Sequence, residues 1–464
     1  VYVYKRQILP RIKAGLGFSA LALLLTACAT SGTAPEDCPP DRQALENCPP
    51  MEAISDPEVN EWYRARTWMD PDDYTGDAMQ LGIDADIPIQ QTRAKFLGSS
   101  SDDAIRSLTT KIHMIENARY SVDAMYYIFT DDLVGLAMLG ALCDAVQRGV
   151  DVRLMVDSVG SIGLNKRWLR ALQSCEADAD FVRNPEDIYT TRRARVQVLI
   201  FNALTTVLAN PNRRSHDKLL VVDGFMPDRA IVITGGRNIS LAYYGINADG
   251  SPNHHTYNDA EILLRPAIGD LDDTVGEAGE VYFTLLSLYQ DNKFLQASNS
   301  SYESERAEMA EALATMKSVE RLQPFFEDSA EFLEHGWRDS RVRLAHELGN
   351  LVSEKVITGA VDNLEKNPNS IMHLLSRDRD TKASHGRIVS PYLFLARYYD
   401  DEGNLLVDEV QSILDWLDKD PKHRFEMITN SVLTSDNVPA QAIVDMDMAC
   451  LLYTSDAADD RPRV

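Results

Sequence analysis

YSVDAMYYIF, residues 120–129, and VDVRLMVDSVG, residues 150–160, are two apolar runs of strand length separated by a helical pattern that opens at Asp131 and Asp132 and ends near Gly149. Strand, helix and strand at this spacing form a βαβ unit, so an α/β fold with a parallel sheet is expected here. Upstream, Ser101 is placed to cap a helix from Asp102 to Asn117, with Ile105, Leu108, Ile112 and Ile115 at helical spacing. His113 on that helix reads as a surface or core-edge residue. The same order returns in GRIVSPYLFL (386–395) as a strand, a helix over 405–417, and HRFEMITNS (423–431) as another strand. It reads as a second copy of the unit. Between the copies, from about Asp270 to Asp380, the chain is acidic and mostly helical, which suits a solvated insertion.

The chain has 464 residues, 44% of them hydrophobic, enough for a sizeable core in two ordinary domains or one duplicated one. A formal net charge of -25 argues against broad nucleic-acid binding, which needs a positive surface to displace phosphate counterions. Near the N-terminus, Arg11 and Lys13 precede an apolar run from Ala14 to Ala27, short for a membrane span and suited to a secretory signal. Its end, Leu25-Thr26-Ala27-Cys28, resembles the bacterial lipobox, which implies cleavage before Cys28, lipidation of that cysteine and tethering to an envelope membrane facing the periplasm; an ordinary signal peptide is the alternative. The Pro-, Ser- and Thr-rich stretch that follows reads as a tether, with order expected from Trp62 to Trp68 onward. Cys38 and Cys48, each followed by Pro-Pro, could pair in an exported protein or stay free in that tether. Cys143 lies in an apolar helical pattern and reads as plain core, as do Cys175 and Cys450.

RSHDKLLVVDG, residues 214–224, sets an imidazole and an ammonium at the entry of an apolar strand. Side chains alternate along a strand, so His216 and Lys218 share one side. A neutral imidazole there can attack phosphorus while the ammonium offsets charge on the non-bridging oxygens. Asp223 has the opposite parity and suits pinning a turn or backbone. Gly235 and Gly236 close a neighbouring strand where backbone can approach an anion, and Asn238 adds an amide donor. Asp259 could hold the histidine's other ring nitrogen; Glu261, of the same parity, competes for that role. Arg192, Arg193, Arg195, Arg213 and Arg214 would form either a basic rim or ion pairs with acidic neighbours. His254 and His255 lie in a turn-rich loop, and His385 and His423 in loops of the second copy.

His-x-Lys, four residues, Asp, then Gly-Gly and Asn is a pattern that resembles the phospholipase D superfamily, with NRRSHDKLLVVDG and GGRNISLAYYG similar to its bacterial cardiolipin synthase branch. The resemblance implies a phosphatidyltransferase or phosphodiesterase acting on phospholipid through a phosphohistidine. With no spacing typical of a metal site, and with Lys218 and Asn238 able to supply electrostatic stabilisation, no cofactor or metal is expected, and the acidic chain argues against a nucleic-acid partner. It implies His216, Lys218, Asp223 and Asp259 as the catalytic set, with Lys218, Gly235, Gly236 and Asn238 around the phosphate. His216 would be nucleophile or general acid. Transfer to a lipid alcohol leads, hydrolysis is the alternative, and a catalytically inactive lipid-binding fragment is the reading from another class. Family members bring two such motifs together, and only one is present in these 464 residues. The chain starts with Val and ends in CLLYTSDAADDRPRV, so the second repeat is expected to be interrupted near Cys450; a homodimer that pairs two histidines is the other expectation. The expected organisation is a signal peptide over 1–27, a tether over 28–60, a first repeat over 61–269, the insertion over 270–380, the start of a second repeat over 381–450 and a non-native tail over 451–464.

Overall fold

A computed structural model describes residues 76–183, 189–203, 214–269, 273–295, 300–352, 369–371, 374, 384–390, 395, 397–399 and 402–429. The expected signal segment, Cys28, Cys38, Cys48, Trp62 to Trp68, Arg213, Cys450 and the residues after it lie outside the described residues. The chain divides into two compact units between Leu344 and Ala345. Among the described residues no helix is long and apolar enough to cross a membrane.

In the first unit, α1 (Ala78–Ile83) precedes β1 (Gln90–Leu97), α2 (Ser101–Glu116), β2 (Ser121–Tyr126), α3 (Leu133–Gln147) and β3 (Asp151–Asp157). β2 and β3 pair in parallel, as the βαβ spacing predicts. Both are buried at every position, because helices cover both faces of the sheet. Asp132 caps α3 as expected, its carboxylate accepting from Val134 N at 3.0 Å and Gly135 N at 3.1 Å. The cap of α2 is Ser100, one residue before the expected Ser101: its extended backbone leaves the Oγ free to accept from Asp103 N at 3.1 Å.

The chain continues through α4 (Lys166–Ser174), a 3-10 turn (Cys175–Asp178), β4 (Phe181–Arg183), β5 (Tyr189–Arg193), β6 (Val196–Phe201), β7 (Lys218–Val222), β8 (Ile231–Gly235) and β9 (Glu261–Pro266). Then come α5 (Val275–Ser287), β10 (Lys293–Phe294), α6 (Glu303–Ser318), α7 (Gln323–Glu327), α8 (Ser329–Glu334) and β11 (Arg338–Val342). One mixed nine-stranded sheet results, in the order β10-β6-β3-β2-β7-β8-β9-β1-β11. β2, β3 and β6 run parallel, and the strands on either side of them join antiparallel.

Two sequence expectations change here. Residues 273–295 and 300–342 are structural framework and not a solvated insertion. α5 closes the second face of the sheet, where Gly279 lies against Val221 and Arg153 Nη1 donates to Thr284 Oγ1 at 2.8 Å. α6 packs on α3, so closely that a Cβ at Gly140 would stand 2.5 Å from the Met309 carbonyl. Its exposed acids hid a buried stripe of Met309, Leu313 and Met316. The second correction concerns cysteine: Cys143 of α3 and Cys175 after α4 are disulfide-bonded, their Cα atoms 5.6 Å apart. They lie 32 residues apart in sequence, and only the packing of α4 against α3 brings them within bridging reach.

The second unit contains α9 (Leu348–Val352), β12 (His385–Val389), β13 (Arg397–Tyr399), β14 (Leu405–Asp408), α10 (Glu409–Lys419) and β15 (Arg424–Ile428). β12 and β15 pair in parallel around α10, a second strand-helix-strand crossover. Residues 405–408, expected to open the helix, form a strand instead. Asp408 ends it and caps α10 by accepting from Gln411 N at 2.9 Å.

Candidate active site

The register sets Tyr126 of β2 opposite Lys218 and Gly235 of β8 opposite Glu261, so one end of the sheet gathers Lys218, Gly235 and the β9 entry. His216 precedes β7 in extended chain, and its ring meets Lys218 as the shared parity requires. Lys218 Nζ lies 3.0 Å from His216 Nδ1, 3.4 Å from Nε2 and 2.7 Å from its carbonyl oxygen. The Tyr127 ring packs against the imidazole with centroids 4.5 Å apart, and Lys218 Nζ sits 5.4 Å from the same ring. Burial and then the neighbouring ammonium lower the His216 pKa, against an opposing pull from Asp217. Burial likewise lowers the Lys218 pKa to about 8, with Asp217 and Asp259 acting in the other direction. Near neutral pH the lowered imidazole pKa and a Lys218 pKa of about 8 favour an unprotonated imidazole beside a protonated amine, a ring lone pair next to a cation.

Asp223 stands at the far end of β7, five residues from Lys218, about 17 Å along an extended strand. Its backbone is left-handed, with φ 51°. Its carboxylate accepts from Arg119 N at 3.1 Å, Tyr120 N at 2.7 Å and Ser121 N at 3.1 Å, and pairs with Arg229 at 3.0 Å. Its place is a backbone pin at the start of β2, away from the histidine that the motif groups it with.

The glycines also differ from expectation. Gly236 N donates to Ala260 O at 2.9 Å, and a Cβ at Gly236 would lie 2.2 Å from Asp259 Oδ1. A Cβ at Gly235 would lie 2.4 Å from Ala260 O. The close approach these residues allow is thus to the β9 entry and the Asp259 carboxylate, and the Gly236 N–H is already committed. Asn238 is buried, its Oδ1 accepting from Ile128 N and its Nδ2 donating to Tyr243 OH, each at 2.8 Å. One of its two amide hydrogens remains for another acceptor.

Asp259 is half-buried, and burial raises its pKa against the pull of Arg237, Lys218 and Lys111. Among the described residues no hydrogen bond joins it to His216; its reach is electrostatic, toward Lys218. Glu261, the competing candidate, is sealed in a buried cluster. Lys111 Nζ donates to Glu261 Oε1 at 2.5 Å, Ser107 Oγ at 3.0 Å and Tyr244 OH at 3.1 Å, and Arg237 Nη1 reaches Glu261 Oε2 at 3.2 Å.

Sequence reasoning missed Lys111, Arg237, Tyr127 and Asp157. Lys111 carried a signal, since it falls in the apolar stripe three residues after Leu108 and four before Ile115. Tyr127 and Asp157 lie at the carboxyl ends of parallel strands, where α/β sheets place their ligand sites. Of the arginines, Arg195 pairs with Asp151 at 2.6 Å and Arg214 with Asp157 at 3.3 Å, while Arg192 and Arg193 are exposed. His254 and His255 are exposed. His385 reaches Glu426 at 3.1 Å, and His423 stacks on Trp416 at 4.2 Å. Among the described residues no group of three or more His, Cys, Asp or Glu is placed to hold a metal ion.

Residues 112–249 match the family model described as "Cardiolipin synthase, PLD-like domain". Cardiolipin synthase C of Escherichia coli (strain K12) is 28% identical over 183 residues, 37% of this chain and 33% of that protein. The major cardiolipin synthase ClsA of Bacillus subtilis (strain 168) is 25% identical over 181 residues, 38% of this chain and 32% of that protein. The chain thus spans about a third of the length of these two curated relatives. Among solved structures, phosphatidylserine synthase of Haemophilus influenzae Rd KW20 is 15% identical with a TM-score of 0.38, over 76% of this chain and 66% of that one. Nuc of Salmonella typhimurium, a phospholipase D family member, is 17% identical with a TM-score of 0.29, over 44% of this chain and 99% of that one. The segment around His216, within residues 112–249, is thus similar to the phospholipase D-like domain of cardiolipin synthases.

Proposed function

We propose that the chain is a phosphatidyltransferase of the cardiolipin synthase type, and that His216 is its nucleophile. The observation that carries this reading is the buried Lys218 ammonium 3.0 Å from the exposed imidazole of His216. A lowered pKa keeps the ring unprotonated, the state in which its nitrogen lone pair attacks phosphorus; a general acid would need the opposite shift. The lone pair forms the N–P bond, the P–O bond to the head-group alcohol breaks, and that alcohol leaves with a proton. A second lipid alcohol then attacks the phosphohistidine, loses its proton and restores the imidazole. Lys218 balances charge on the non-bridging oxygens in both steps, with Asn238 offering its remaining amide hydrogen. The proton for the leaving alcohol calls for a second acid, which a second His-x-Lys motif would bring, in a paired copy or in further chain.

The proposed substrate is a phospholipid, and the proposed place is the periplasmic side of an envelope membrane, with lipid on Cys28 as the anchor. The Cys143–Cys175 disulfide supports export, since such bonds persist in oxidising compartments. Release of a Cys28→Ser variant from membranes would agree with the anchor, and unchanged attachment would refute it.

Phosphatidylglycerol vesicles test the reaction. Cardiolipin and free glycerol in equal amounts are expected, together with an acid-labile phosphate adduct on the His216 peptide. Phosphatidic acid in place of cardiolipin would favour hydrolysis. Vesicle binding without turnover, unchanged by His216→Ala, would mark the chain as a lipid-binding protein and overturn the proposal.

A further inference from the structure

We propose that Tyr127 is a positioning residue: wedged between Gly160 and His216, its ring holds the imidazole and the Lys218 ammonium in one arrangement, while Asp157 fastens the two segments that flank it. The inference rests on the reading of His216 as the reacting group.

The wedge is built from both sides. A Cβ at Gly160 would stand 2.3 Å from the Tyr127 carbonyl oxygen and 2.8 Å from two of its ring carbons, so only glycine admits the ring here. On the other side lie the imidazole, 4.5 Å between centroids, and Lys218 Nζ, 5.4 Å from the ring centre. The backbone is fixed as well: Tyr127 N donates to Asp217 O at 3.0 Å, and Ser161 Oγ donates to Tyr127 O at 2.9 Å while accepting from Phe129 N at 2.9 Å.

Asp157 ends β3 at the meeting point of the two segments. Its Oδ1 accepts from Val159 N and Gly160 N, each at 2.9 Å, and so sets the turn that presents Gly160. Its Oδ2 accepts from Ser215 N at 3.3 Å, and Oδ1 pairs with Arg214 at 3.3 Å, which anchors the residues leading into His216. A displaced carboxylate would loosen both jaws at once. None of these groups needs to touch phosphate.

The charged and titratable groups around the imidazole are Lys218 and Asp217 on its own segment, Tyr127 from the end of β2, and Asp157 with Arg214 beyond that ring; Asp259 acts on Lys218 from the entry of β9. Burial is the largest cause of the lowered His216 pKa, and Tyr127 is part of what buries it. Removing the ring would admit water and return the imidazole toward the ordinary value of about 6.5.

The test is a histidine titration by NMR on the full chain, with His216 assigned by its loss in His216→Gln, run on Tyr127→Leu, Tyr127→Phe and Gly160→Ala. Tyr127→Leu and Gly160→Ala are expected to raise the His216 pKa, and Tyr127→Phe to leave it near the parent value. In phosphatidyl transfer, the first two should lower kcat by about 10²-fold, the scale of a misplaced reacting group, with KM within about threefold. An unshifted titration in the folded Leu variant overturns the proposal. Damage by Phe equal to that by Leu also overturns it, since the hydroxyl and not the ring would then matter. Should Tyr127→Leu not fold, Gly160→Ala decides in the same way. Absence of turnover in the parent protein counts against phosphatidyl transfer alone, and the titration still decides the role of Tyr127.

Discussion

Two charged clusters lie at the same end of the sheet, within one strand register of each other, and they differ in how completely they are closed. Around Glu261, Lys111 and Arg237 are fully buried, and their cationic groups are held by the carboxylate and by neighbouring oxygens. Around His216, Lys218 is buried but the imidazole is exposed, and the two hold mainly each other and the face of Tyr127. Gly235 separates the two in register, opposite Glu261. The closed cluster cannot admit a phosphate without losing a partner for a buried charge. The open one has a cation and a lone pair still to offer. Reactivity is therefore expected in the more open set, while the buried set, in which Arg237 Nε has no hydrogen-bond partner among the described residues, acts on Asp259 through charge.

The largest expected effect separates the two clusters by function. His216→Ala should lower phosphatidyl transfer by at least about 10³-fold while leaving the melting temperature close to that of the parent. A thermal melt that fell with it would erase the distinction. In the other direction, Glu261→Gln leaves Lys111 and Arg237 buried with an uncompensated charge, and about 3–5 kcal/mol of stability should be lost in urea unfolding. A loss under about 1 kcal/mol would mean that the closed cluster is not the support described.

A smaller effect is expected at the opposite end of the strand. Asp223→Asn keeps the shape but weakens three charge-assisted bonds from Arg119, Tyr120 and Ser121 and the pair with Arg229. About 1.5–3 kcal/mol should be lost, and transfer at permissive temperature should fall far less than for Lys218→Ala. Equal loss of activity in the two variants would return Asp223 to the reacting set.

The smallest effect sharpens the open cluster through pH. Transfer needs His216 unprotonated and Lys218 protonated, so activity should fall on the acid side as the imidazole gains its proton, and on the alkaline side near pH 8 as Lys218 loses its own. Lys218→Arg should move the alkaline limb up by at least about one pH unit while lowering the maximum rate, because a guanidinium stays charged. An unmoved limb would assign it to another group. Stability has its own sign: the folded chain binds Lys218's proton less tightly than the unfolded chain, so this residue makes stability rise with pH between about 8 and 10.5.

Sequence by itself determined the parts governed by local periodicity. The run from Ser121 to Val156 could only be strand, helix and strand, since its apolar spacing changes from one period to another and back, with Asp132 at the joint. Alternation along Ser215 to Val222 placed His216 beside Lys218, and the parity of Asp223 removed it from them. Tertiary structure alone decided the rest. Whether Gly236 faced an anion or a carboxylate depended on which strand lay next to β8. Whether Cys143 was core or half of a disulfide depended on the packing of α4. Exposed acids on α6 looked like an insertion because the stripe that packs on α3 is narrow, and charge pattern reports the solvent side only. Tyr127 meets His216 across 89 residues of chain. Such contacts belong to the sheet order, which no local periodicity encodes, because a strand's own pattern sets the face it buries and not the neighbour it finds.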